Sequence, residues 1–316
     1  MTEEKFSIDE TTLSVDLSDA TQAVKESRFE DALNLLKVLL KENPNHIDIL
    51  YLSAVSSRFL KKFDDSRKYI ENLLSNAPDM GRAYQELGHL NRDMGKQEKA
   101  VMHYRQACEL NPALPSSWNY LHKYFQEIKN KPAADHALEQ IKKLQSLPGL
   151  LLFIEQILNE GRLGLAETKC RAFLKENPTH TYAMSLLAEI ANRFGYFDDA
   201  EFLLQKAVEF KPQDGDLRLK YASILRKKQK FAQTTEQVNI LCDQFPDNLN
   251  YQAQKASDVM QGGDHAKAIT MFDDILQKNP YNFSTLTSKG HAQKTLGSTD
   301  QAIAVSYTHL TLPTKA

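Results

Sequence analysis

Apolar side chains in this chain fall into stripes three and four residues apart, and the stripes themselves return every 34 residues. The period Gly81–Leu114 is the clearest. Numbered from Gly81, it places Tyr84 at position 4 and Leu87 at 7, then Ala100, Tyr104 and Ala107 at 20, 24 and 27. Such spacing puts one apolar face on a helix, so each period predicts two amphipathic helices. Gly95, at position 15, lies where the chain leaves the first helix and needs a permissive backbone. Pro112, at position 32, cannot extend the second. Small residues at positions 8 and 20, here Gly88 and Ala100, let the two helices approach closely. A bulky side chain there would overpack, at about 1–3 kcal/mol.

The register holds along the chain. Prolines stand at Pro44, Pro78, Pro112, Pro178, Pro212, Pro246 and Pro280, and five of the six intervals are 34 residues. The interval Pro112–Pro178 is 66, two periods less two residues. Ala54, Gly88, Ala188, Ala222, Ala256 and Gly290 fall at position 8; Ala32, Ala100, Ala134, Ala166, Ala200, Ala268 and Ala302 fall at position 20. The expectation is an all-α chain of antiparallel helix hairpins over residues 13–304, eight full repeats and a truncated ninth, after a disordered segment 1–12. The two-residue deletion near Leu144–Gly149 predicts a short turn and a local change of pitch. In the first period Asp16, Asp19 and Ala23 replace large residues, which suits a polar N-terminal end cap.

With large residues at positions 4, 7 and 24 and small ones at 8, 20 and 27, the chain resembles the tetratricopeptide repeat (TPR) family, although Asn91 occupies position 11, where that family prefers an apolar residue. The resemblance implies a right-handed superhelical solenoid whose concave groove is lined by first-helix positions 2, 5, 9, 12 and 13. Position 12 reads Arg58, Arg92, Gln126, Leu158, Asn192, Arg226, Met260, Lys294, so four of eight are basic, and Lys123 and Lys227 lie nearby. A basic row in a groove favours an acidic or extended peptide. The same residues could instead complement the C-terminal end of each first-helix dipole. The candidate partner-binding residues are therefore Arg58, His89, Arg92, Lys123, Asn192, Arg226, Lys227 and Lys294. The lysine and asparagine set with which TPR co-chaperones grip a terminal carboxylate starts in no repeat, and no first-helix position carries Asn repeatedly, as an asparagine-ladder groove would require.

Composition narrows the function classes. The 39 basic and 41 acidic residues give a net charge of −2, which argues against a general nucleic-acid or anionic-membrane binder. The N-terminus MTEEKFSIDE has no apolar core, and the run Gly149–Ile154 is far too short to span a bilayer. Cys108, Cys170 and Cys242 lie 62 and 72 residues apart, with no metal-ligand spacing, and fall at second-helix packing positions. These features point to a cytoplasmic protein. The carboxylate pairs Asp64–Asp65, Asp198–Asp199 and Asp273–Asp274 recur at repeat positions, which fits helix charges rather than acid–base catalysis. No phosphate loop, nucleophile elbow or zinc motif occurs, so the expectation is a protein–protein interaction scaffold with no catalytic residues, cofactor or metal.

Two further resemblances bear on that expectation. Segments such as RAYQELGHLNRDMGK (82–96) and GYFDDAEFLLQKAVEF (195–210) resemble the N-terminal arrays of bacterial TPR-containing sulfotransferases. That resemblance implies an alternative, a substrate-recruiting arm separated from its catalytic domain. The period is lost after Ala304, and VSYTHLTLPTKA (305–316) resembles a translated sequencing adaptor. The expectation is that this tail is not native and that the array is cut in mid-helix.

Overall fold

The computed structural model describes residues 17–297, and its helices fall on the predicted register. The segment 1–12, residue Asp16, the end of the ninth repeat beyond residue 297 and the tail 305–316 lie outside the described residues. A helix over residues 17–25, α1, is followed by α2 (Phe29–Glu42), α3 (Ile47–Phe59), α4 (Phe63–Asn76), α5 (Gly81–Asp93), α6 (Gln97–Leu110), α7 (Pro115–Glu127) and α8 (Lys131–Gln145). Then come α9 (Gly149–Asn159), α10 (Leu163–Glu176), α11 (Thr181–Phe194), α12 (Phe197–Phe210), α13 (Gly215–Lys227), α14 (Phe231–Gln244), α15 (Leu249–Gln261), α16 (His265–Lys278) and α17 (Phe283–Thr295). No strand occurs among the described residues. Odd-numbered helices are the first helices of the repeats. Even-numbered helices are the second, and where a period proline follows, each ends two residues before it.

The chain divides into two compact units at Ala166/Glu167. In the first unit, Ala20 and Ala23 of α1 are buried against α2 through Ala32 and Leu36, while Asp19 is exposed. The cluster of Leu50, Ala54, Ile70, Leu73, Ala83 and Leu90 then knits α3, α4 and α5. Gly88 shows why position 8 must be small: a Cβ there would stand 2.7 Å from the ring of Tyr104. In the second unit the core runs through Ala188, Ala200, Leu204, Ala207, Leu217, Tyr221 and Leu225.

Position 15 adopts positive φ in every repeat, whether or not it is glycine. Gly95, Gly161, Gly195, Gly263 and Gly297 do so, and so do Ser27, Lys61, Lys129 and Gln229, at φ between 57° and 60°. A side chain in this region costs roughly 1–2 kcal/mol, so the hairpin geometry, fixed by the packing of both helices, overrides local preference. Replacing Lys129 by Gly relieves that strain and gives back roughly 0.5–1 kcal/mol as extra unfolded-state entropy. The expected net is a stabilisation of about 0.5–1 kcal/mol, read as a higher urea midpoint, whereas Lys129→Ala should gain nothing.

The deletion is visible as well. The α8–α9 connection is three residues, Ser146–Pro148, where the repeats on either side use four, and α9 has 11 residues where the other full first helices have 13 or 14.

Candidate functional site

The candidate residues lie on first helices, but the charge of the three arginines among them is already engaged. Arg58 is 7% exposed, donates from Nε to Glu86 Oε1 at 2.5 Å and from Nη1 to Asp93 Oδ2 at 2.8 Å, and lies over the Phe59 ring. It therefore presents no guanidinium to a partner, a correction to the reading of position 12 as an open basic row. Arg92 pairs with Asp93 at 2.8 Å. Partial burial pulls the Asp93 pKa up, but hydrogen bonds from Arg58 and Arg92 outweigh it and the pKa is lowered. Arg226 donates to Asp258 at 2.7 Å. These arginines reach from position 12 to an acidic residue in their own or the next repeat, and they brace the stack.

His89 is also turned inward. Its Nδ1 lies 2.6 Å from the Tyr104 hydroxyl, which donates to it when the ring is neutral. Burial, helped by the positive charges of Arg58 and Arg92, lowers its pKa to about 3. The unfolded chain then binds the proton that the folded chain refuses, so this contribution is present above the ordinary histidine range and lost as pH falls through it. Stability is expected to drop by about 1–2 kcal/mol between pH 7 and pH 5 on this account. His89→Gln should flatten that part of the profile in chemical denaturation; an unchanged slope would remove His89 as its source.

Four candidates keep open chemistry. Lys123 and Lys294 are exposed, and their side chains make no hydrogen bond or ion pair with a described residue. Lys227 is exposed and donates to Asn192 Oδ1 at 2.8 Å, with its Nζ 5.9 Å from the Phe197 ring. An amide oxygen accepts the hydrogen bond without neutralising the charge. Asn192 in turn donates to Glu189 at 3.2 Å.

The cysteines fit packing. Cys108 and Cys170 are buried, and burial pushes their thiols up to about 12 and about 11. Cys242 is partly buried and shifted the same way by burial. Asp64–Asp65 and Asp198–Asp199 stand in the first turns of α4 and α12, and Asp273 pairs with Lys289.

Periodicity gave no sign of a second set of contacts on the first-helix face of the first unit. Glu160, in the α9–α10 turn, is held by Arg82 of α5 through bonds of 2.5 and 2.7 Å, with side-chain exposures of 16% for the arginine and 3% for the glutamate. Arg82 lies over the Tyr51 ring at 4.9 Å. Burial, together with the Glu86 carboxylate, pushes the Tyr51 phenol up to about 12. Arg162 reaches Asp48 of α3 at 2.9 Å. Gln156 donates to Ala113 O at 2.7 Å, and the Asn111 side chain donates to Gln156 O at 3.0 Å. Asp48 and Arg82 stand at position 2 and Tyr51 at position 5 of their repeats, among the positions expected to line a groove. Leu151, Ile154, Ile157 and Leu158 of α9 are at most 2% exposed. At about 1.5–3 kcal/mol each, exposing all four would cost on the order of a domain's whole stability of roughly 5–15 kcal/mol. No helix among the described residues is long and apolar enough to cross a membrane.

Comparison with known proteins bears on the repeat. Residues 81–128 match the family model for the TPR repeat. No curated protein matches the chain. Among solved structures, the crystal structure of the APC/C hetero-tetramer Cut9–Hcn1 is similar over 88% of this chain and 55% of that one, at 16% identity and a TM-score of 0.41. The structure of Naa15/Naa10 bound to HypK-THB is similar over 89% of this chain and 44% of that one, at 15% identity and a TM-score of 0.38. The chain thus spans about half the length of each.

Proposed function

We propose that this chain is a scaffold that holds a partner protein against the first-helix faces of its hairpins, through an extended segment rich in carboxylates. The TPR repeat over residues 81–128 supports the general reading, since stacked hairpins of this type offer long surfaces for protein partners. The observation that carries the finer one is Lys227, exposed and hydrogen-bonded to the neutral Asn192 amide, with a full charge left for an incoming carboxylate. An amide beside an ammonium also offers a donor and an acceptor to peptide backbone.

The test is fluorescence anisotropy with peptides of alternating Glu and Ser, against matched peptides of alternating Gln and Ser. Capture of the acidic peptide that weakens as salt rises supports the reading. Equal capture of both peptides, or of neither, rejects it.

A further inference from the structure

We propose that the α9–α10 turn is a permanent occupant of the first-helix face of the first unit, and that partner capture therefore falls on the first-helix face of the second. This rests on the scaffold reading and adds where the partner sits. In the first unit, Arg82 holds the chain's own Glu160 while stacked on Tyr51, and Asp48 holds Arg162. A partner's carboxylate could reach Arg82 only by displacing Glu160. The turn continues directly from α9, whose Leu151, Ile154, Ile157 and Leu158 are buried, so lifting the turn off this face would strain a packed helix, and the turn acts as a plug and not as a lid.

Charge bookkeeping separates the two faces. In the first unit, Arg58, Arg82, Arg92 and Arg162 all end on carboxylates, and the exposed lysines left open on first helices, Lys25 of α1 and Lys123 of α7, fall in sequence on either side of the α3 and α5 positions that the turn occupies. In the second, Arg226 is neutralised by Asp258, but the Lys227 ammonium bonds to an amide and not to a carboxylate, and the Lys294 ammonium bonds to no described residue. Two uncompensated lysines on the first helices of one unit suit a segment carrying spaced carboxylates, with Asn192 reading its backbone.

Two measurements on the full chain test this. Native-state hydrogen exchange should show the amides of α9 exchanging no faster than those of α5. Faster exchange confined to α9 would mean that the turn opens by itself, and would overturn the plug. The acidic Glu/Ser peptide should bind roughly tenfold more weakly to Lys227→Glu/Lys294→Glu and unchanged to Lys123→Glu. All three lysines are exposed, so these variants should fold, and an unchanged helical signal would confirm it. Loss on Lys123→Glu with binding retained by the double variant would overturn the placement alone. Failure of the unaltered chain to bind the peptide would overturn the scaffold reading and this placement together.

Discussion

Glu160→Ala is expected to lower the stability of the first unit by about 3–5 kcal/mol, because it leaves the Arg82 guanidinium largely buried without its hydrogen-bonded counter-charge. The loss should appear as a lower urea midpoint together with faster exchange in α9 and at Tyr51. Removing both charges is a different experiment. Arg82→Met with Glu160→Leu fills the same space without an unpaired ion and should recover most of the loss. Glu167→Ala is the contrast, since its partner Arg171 is an exposed neighbour one turn away, worth about 0.3–0.5 kcal/mol. A loss below about 1 kcal/mol for Glu160→Ala would mean that the pair does not anchor the turn.

Arg58→Ala should cost a similar amount, about 3–5 kcal/mol, for the mirror-image reason: it leaves the Glu86 carboxylate 3% exposed and unpaired. Here pH gives a second readout. Burial already raises the Glu86 pKa, against the pull of Arg58. Without the arginine it rises further. A carboxyl with a raised folded pKa favours the folded state at low pH, and that contribution is lost as pH rises through the folded value. The destabilisation of Arg58→Ala should therefore shrink at pH 5 and grow at pH 8, in denaturation curves compared with the unaltered chain. A deficit constant across that range would point to lost packing on Phe59 instead.

The hairpin register was legible because its determinants are local. A proline two residues past a helix end, a small residue facing a tyrosine ring as Gly88 faces Tyr104, and alanines at 0% to 5% exposure at position 20 all act within one repeat. The left-handed turns at Lys61, Lys129 and Gln229 were harder to see, because tertiary packing imposes there what glycine does elsewhere. The charge state of position 12 was half visible. Arg58 and Arg226 each have acidic residues in the next period, Glu86 with Asp93 and Asp258, and the pairing depends on which side chains share a buried edge. Lys123, Lys227 and Lys294 find no such acid and stay open. The plug was not legible at all. Arg82 and Glu160 are 78 residues apart, and the one trace in the sequence, the two missing residues before α9, marks a change without saying where the helix goes.

Stacked repeats make contacts with their neighbours, so such chains can begin folding at any hairpin and spread outward. The pairs Arg82–Glu160 and Asp48–Arg162, the latter 114 residues apart, break that locality. Contacts of such long range form only after the intervening loop has been ordered, which places them late. During synthesis the surface around Tyr51 and Arg82 stays uncovered until α9 has left the ribosome. That interval, rather than the finished protein, is when this face can associate with the wrong chain.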